Sequence, residues 1–139
     1  IVGEFHVAED VTVLQSGKIS RNNFEDGNLE HLSEKFAELV PKCSLECTLY
    51  GTVQGSLGII VSLPEPTFAF LDRLQREIVS TTISTVGNLE FLDWRTRRLE
   101  GKKRTFSGFI DGDLVEGFLT LGREEAQRIL ANLQIPEIQ

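Results

Sequence analysis

The sequence contains no methionine, although a translated chain begins with one and a chain of 139 residues ordinarily carries more in its core. The absence points to a processed chain or a piece of a longer one. Cysteine is nearly absent too: Cys43 and Cys47 are the only two, separated by three residues. His31 is the only histidine near them, so a four-ligand zinc site cannot be completed locally and both are expected as free or buried thiols, with a disulfide between them as the alternative. Long apolar runs are missing. The longest, Leu57 to Val61, falls far short of the roughly 20 residues that span a bilayer, and the N-terminus lacks the basic start and apolar core of a signal peptide. No membrane partner is expected. Positive charge is short as well: 14 Lys and Arg stand against 21 Asp and Glu, a net charge of −7, which weighs against a surface that tracks phosphates.

What is present is the composition of a soluble globular domain, 40% hydrophobic and 25% charged. Residues 1–63 read as strands and loops and residues 64–139 as helices, with Pro64 and Pro66 at the change, which is an α+β order. The clearest strands are Glu46 to Val53 and Ser56 to Leu63, rich in Leu, Ile, Val and Thr and joined by Gln54-Gly55. A two-residue turn with Val53 opposite Ser56 would set Thr52, Tyr50 and Thr48 beside Leu57, Ile59 and Val61, with Leu49 beside Ile60 on the other face. Gly51 would then oppose Gly58, and both faces would carry apolar groups that need cover. Earlier strands at Val2 to Val7 and Val11 to Gln15 complete a set of four, the content of one β-propeller blade. Between them lies a polar loop insertion at about 17–45, with Leu29, Leu32, Phe36 and Leu39 or Val40 at the spacing of a short amphipathic helix.

In the second half, Thr67 is placed to cap a helix carrying Leu71, Leu74 and Ile78 on one stripe, flanked by Phe68, Gln75 and Val79 and ending near 82–87. A short helix is expected from Asn88, a third from Asp111 or Asp113 with Leu114, Phe118 and Leu121 on one face, and a fourth from about Arg123 to Leu133.

Three constellations bear on chemistry. Ile1-Val2-Gly3 matches the start of activated trypsin-like proteases, but neither His6 nor His31 has a triad-like setting and no Gly-Asp-Ser-Gly nucleophile stretch exists. Asp111, Asp113 and Glu116 bring three carboxylates together. They are read as a helix start rather than a metal site, with Asp111 as the cap and Asp113 in the first turn, where the helix dipole favours negative charge. Arg95, Arg97, Arg98, Lys102, Lys103 and Arg104, flanked by Trp94 and Phe106, form a basic patch that suits a docking loop, or a nucleic-acid contact as the alternative; Glu90, Asp93 and Glu100 interleave with it and favour docking. No catalytic residue, metal or cofactor is expected, and the chain reads as a binding or scaffolding protein.

The run Gly108-Phe109-Ile110-Asp111-Gly112-Asp113-Leu114-Val115-Glu116-Gly117-Phe118-Leu119 resembles the C-terminal signature of the large triple-β-propeller family, shared by damage-specific DNA-binding proteins and by large subunits of mRNA cleavage, polyadenylation and splicing complexes. Val2-Gly3-Glu4-Phe5, Gly51 to Gly58, Val86-Gly87, Trp94-Arg95 and Ala131 to Gln134 are similar to its damage-specific DNA-binding branch in particular. The resemblance implies that 1–63 are terminal strands of a seven-bladed propeller, with the loop insertion at about 17–45, and that 64–139 form a helical C-terminal domain. It further implies a non-enzymatic adaptor that links WD-repeat substrate receptors to a cullin in a ubiquitin ligase, in DNA repair or chromatin regulation. Partners would be the rest of its own triple-propeller chain, the cullin and the receptors, with nucleic acid reached indirectly; the setting would be nuclear, and cytoplasmic in part. Thr12, Val13 and Val53 fall at positions the resemblance assigns to the receptor-facing surface, beside Asp10, where an apolar residue would suit a receptor helix better. The RNA-processing branch is the alternative within the same fold.

Overall fold

The computed structural model describes residues 5–19, 44–81, 91, 95 and 108–133. Three strands, β1 (Val11–Ile19), β2 (Leu45–Thr52) and β3 (Leu57–Val61), precede helices α1 (Glu65–Thr81), α2 (Gly112–Glu116) and α3 (Arg123–Asn132), with a 3₁₀ turn at Gly117–Thr120. Strands before helices give an α+β chain, as expected. Residues divide into two compact units, 9–70 and 1–8 with 71–139.

In the first unit the strands form one antiparallel sheet in the order β1-β2-β3. The hairpin register differs by one residue from the expected one: Gly51 faces Leu57, Tyr50 faces Gly58, Leu49 faces Ile59 and Thr48 faces Ile60. The turn explains the difference. Thr52 N–H donates to Ser56 O at 3.0 Å and Gly55 N–H to Thr52 O at 3.1 Å, which closes a loop of Val53, Gln54 and Gly55 with Gly55 at φ +90°. That is a three-residue hairpin with glycine in the left-handed position, not a two-residue turn. A one-residue slip sends every side chain to the opposite face. Leu49, Cys47, Leu57, Ile59 and Val61 therefore share a face with Val13 and Ile19, while Leu14, Tyr50, Thr48 and Ile60 lie on the other.

Gly58 does not face Gly51. A Cβ there would lie 2.2–2.4 Å from the Tyr50 ring, so the glycine makes room for the tyrosine across the hairpin. Gly17 has a similar role against Cys47, a free and buried thiol, whose Sγ would lie 3.2 Å from an added Cβ. β1 consequently runs on to Ile19, and residues 17–19, expected in the loop insertion, are paired with Leu45, Glu46 and Cys47. The helix expected within that insertion and the thiol of Cys43 lie outside the described residues.

The strand expected at Val2 to Val7 is not seen at its described positions: residues 5–7 form no strand and group with the helical unit. The blade content is three strands among the described residues, not four. α1 also begins earlier than expected, at Glu65. Pro66 fits the first turn because an N–H there has no helical partner to lose, and Phe68 N–H already donates to Pro64 O at 2.9 Å. Thr67 is thus inside the helix. The helical unit buries Leu74, Ile78, Phe91, Ile129 and Leu133. Arg73 donates to Leu133 O at the end of α3 (3.3 Å), and Asn132 Nδ2 donates to Glu77 Oε2 (3.0 Å). The expected third helix is broken into α2 and the 3₁₀ turn, which leaves Leu119 outward. The helix expected from Asn88 lies mostly outside the described residues; Phe91 and Arg95 have helical backbone.

Gly58→Ala is expected to destabilise the chain by about 1 kcal/mol, because the added methyl displaces the Tyr50 ring. Urea unfolding of Gly58→Ala with and without Tyr50→Thr checks the cause: the cost should vanish in the double variant.

Candidate functional site

Two places in the described chain gather the residues singled out by the sequence. The first lies in the helical unit around Asp111, which is 4% exposed. Asp111 precedes α2 with extended backbone, and its Oδ1 accepts from Asp113 N–H (3.1 Å) and Leu114 N–H (3.4 Å). Its Oδ2 accepts from Arg95 Nε at 2.7 Å, an ion pair whose side chains are 12% and 4% exposed. The Asp111 backbone N–H donates to Gln75 Oε1 at 2.7 Å, and Gln75 Nε2 donates to Phe109 O at 3.1 Å. A fully buried glutamine on α1 thereby pairs with the backbone of 109 and 111 as a neighbouring strand would.

Arg95 extends the cluster. Its guanidinium stands 4.6 Å from the centroid of the Phe5 ring, Phe5 packs edge-on against Phe109 at 5.0 Å, His6 N–H donates to the Arg95 backbone carbonyl (3.1 Å), and the guanidinium Nη1 donates to His6 O (3.4 Å). The basic patch expected at 95–104 therefore loses its first member, which is turned inward to a buried carboxylate. Arg97, Arg98, Lys102, Lys103 and Arg104 lie outside the described residues. Both Asp111 oxygens are filled by donors and the neighbouring charge is a guanidinium, an arrangement that repels rather than recruits a cation. Asp113 and Glu116 are exposed, and no group of three metal-ligating side chains occurs among the described residues.

The second place is the hairpin end of the sheet. Val11 pairs with Thr52 and Val13 with Gly51, so Thr12 is an extra residue, a β-bulge, and its hydroxyl donates to Gly51 O at 3.3 Å. Val53 N–H donates to Asp10 O at 3.0 Å. The Glu9 carboxylate accepts from the hydroxyls of Thr52 and Ser56, and Ser56 N–H donates to Thr52 Oγ1 at 3.0 Å, fastening the turn to the start of β1. Val13, Val53 and Leu57 are 59%, 66% and 88% exposed, and the pairing places Thr12, Val13 and Val53 at the same end of the sheet.

Sequence reasoning missed Gln75, Glu9 and Leu57. A polar residue beside the Leu71, Leu74, Ile78 stripe was the available signal for Gln75; Glu9 and Leu57 depended on a register that the turn decides. At the second place the Thr52 and Ser56 hydroxyls are committed to the Glu9 carboxylate, which fastens the turn. The first holds four segments together, residues 5–6, α1, Arg95 and 109–114, and the second presents exposed apolar side chains.

The chain belongs to the family described as the CPSF A subunit region, whose pattern matches residues 1–120. Among its curated relatives are DNA damage-binding protein 1 of Oryza sativa subsp. japonica, 32% identical over 136 residues, and DNA damage-binding protein 1b of Arabidopsis thaliana, 32% identical over 136 residues. DNA damage-binding protein 1 of Solanum lycopersicum is 33% identical over 137 residues. These matches cover 97–98% of this chain but only 11% of each relative's length.

Asp111→Ala is expected to cost about 2–4 kcal/mol, more than the 0.5–2 kcal/mol of a lost cap alone, because it also leaves the largely desolvated Arg95 guanidinium without its carboxylate. Denaturant unfolding of Asp111→Ala beside Asp111→Asn, which keeps the cap acceptor, separates the two contributions.

Proposed function

We propose that the chain is the C-terminal part of a larger, non-enzymatic adaptor that links WD-repeat substrate receptors to a cullin-RING ubiquitin ligase in DNA repair or chromatin regulation. Similarity to proteins named DNA damage-binding protein 1 along nearly the whole chain carries this reading. On it, residues 1–63 are terminal strands of a propeller and 64–139 its helical C-terminal domain, acting in the nucleus and partly in the cytoplasm. The sheet supports a blade assignment, since Leu14 and Ile60 on one face and Leu49 and Ile59 on the other are exposed, and covering each would gain roughly 1.5–3 kcal/mol. A blade obtains that cover from its neighbours.

The family match to the CPSF A subunit region favours a second reading, in which the partners are subunits of an mRNA cleavage, polyadenylation or splicing complex. Direct nucleic-acid binding through 95–104 is weakened by the internal pairing of Arg95. Mass spectrometry of what co-purifies with the full-length protein from nuclear extract separates them: a cullin with WD-repeat proteins is expected, and RNA-processing subunits in their place would move the function to the second reading. Val13→Glu and Val53→Glu are expected to lower WD-repeat receptor binding by about tenfold or more, leaving the cullin in the complex, as pull-down with the purified partners would measure.

A further inference from the structure

Among the described residues Ala8 is the one non-glycine with a positive φ, +66°. A left-handed backbone is costly for alanine because Cβ crowds the carbonyl oxygen, and it persists only where the chain to either side is held. Both sides of Ala8 are held. After it, the Glu9 carboxylate is taken by the Thr52 and Ser56 hydroxyls, and Asp10 O accepts from Val53 N–H at 3.0 Å. Before it, Phe5 lies against the Arg95 guanidinium, His6 N–H donates to Arg95 O, and His6 O accepts from Arg95 Nη1.

The contacts of Phe5 and His6 also govern a helix they do not touch. With these residues in place, the Arg95 and Asp111 side chains are 12% and 4% exposed. Without them the guanidinium loses the Phe5 ring and the His6 carbonyl, Phe109 loses the ring packed on its edge, and the ion pair is opened to water, where such a pair contributes little. α2 has five residues, none of them buried, and is started by the Asp111 carboxylate. Gln75 sets the limit of the effect, because it holds Phe109 O and Asp111 N–H from α1 without help from Arg95.

We infer that residues 5–8 are a strained strap, jointed at Ala8, whose release uncaps α2 as a local opening while α1, α3 and the Gln75 link stay in place. Letting go of Arg95 frees Ala8 to return to a negative φ, so strain at the joint favours opening and the contacts of Phe5 and His6 oppose it. The balance between the two sets how often α2 opens. The side chain at position 8 adjusts it without touching Arg95, Asp111 or Gln75.

The test is hydrogen–deuterium exchange of the full-length protein, read by mass spectrometry with fragmentation to single amides. Asp113, Leu114 and Val115 N–H report on α2, Ala126 and Leu133 N–H on α3, and Asp111 N–H on the Gln75 link. Ala8→Gly, which adopts the same φ without strain, should slow exchange at the three α2 amides roughly threefold or more; Ala8→Val, which tolerates it less, should speed it about tenfold. Phe5→Leu, which keeps an apolar side chain and removes the ring from the guanidinium, should speed it about fivefold. Exchange at Asp111, Ala126 and Leu133 should stay unchanged in all three. Exchange at α2 that ignores the side chain at position 8, or that shifts by the same factor as α3, overturns the inference, the second outcome because Ala8 would then act on global stability alone. A response to position 8 without a response to Phe5→Leu overturns it as well, since the strap would then not act through Arg95.

Discussion

The bond between Arg95 and Asp111 is the constraint on which the helical unit depends. Taking a carboxylate and a guanidinium out of water is costly, and the pair is sustained because Asp111 collects two backbone N–H donors as well as the guanidinium. In satisfying one carboxylate the chain joins four separate segments, Arg95 among them. α2 is started by the cap, α1 is tied in through Gln75, and Phe5 and His6 are held by the same arginine. The short helix α2 has five residues and buries none of them, so its start depends on this carboxylate more than on its own packing.

The sheet is organised by a different kind of constraint, the length of one turn. Three loop residues rather than two place the Val13, Leu49, Leu57 and Ile59 side chains together, and Glu9 secures that choice by binding both hydroxyls at the turn's ends. Side chains that are apolar and outward on both faces of a three-stranded sheet fit a part whose cover comes from elsewhere. The chain spans about 11% of the length of the curated relatives it matches.

The order of strands and helices was legible because hydrophobic period and proline placement are local signals. α3 and the start of α2 were legible for the same reason: Asp111 stands before the apolar run as a cap would, and Ala126, Ile129 and Leu130 recur at helical spacing. The hairpin register was not, because Gln54-Gly55 suits a two- or a three-residue loop and only the Thr52 and Ser56 hydroxyls, drawn to Glu9 more than forty positions away, decide between them. Gly17 read as a loop start because a glycine's reason for being in a strand, here the sulfur of Cys47, sits on another strand. Arg95 read as part of a basic patch for an equivalent reason, since its partner lies sixteen residues on and nothing local marks an arginine as inward-facing. The positions Thr12, Val13 and Val53 came from family resemblance, and the bulge at Thr12 leaves no trace in periodicity.

The bulge at Thr12 has a consequence for solubility. β1 is an outer strand of the described sheet, nine residues long, with apolar side chains outward. A flat outer strand of that kind is a template on which other chains can add. An extra residue kinks and twists the strand near its start, so an incoming strand can keep register with one part of the edge only. Lys18 near the other end places a charge where a paired strand would have to accommodate it. Among the described residues these two irregularities give the outer strand a defence against self-association that the sheet's apolar faces lack.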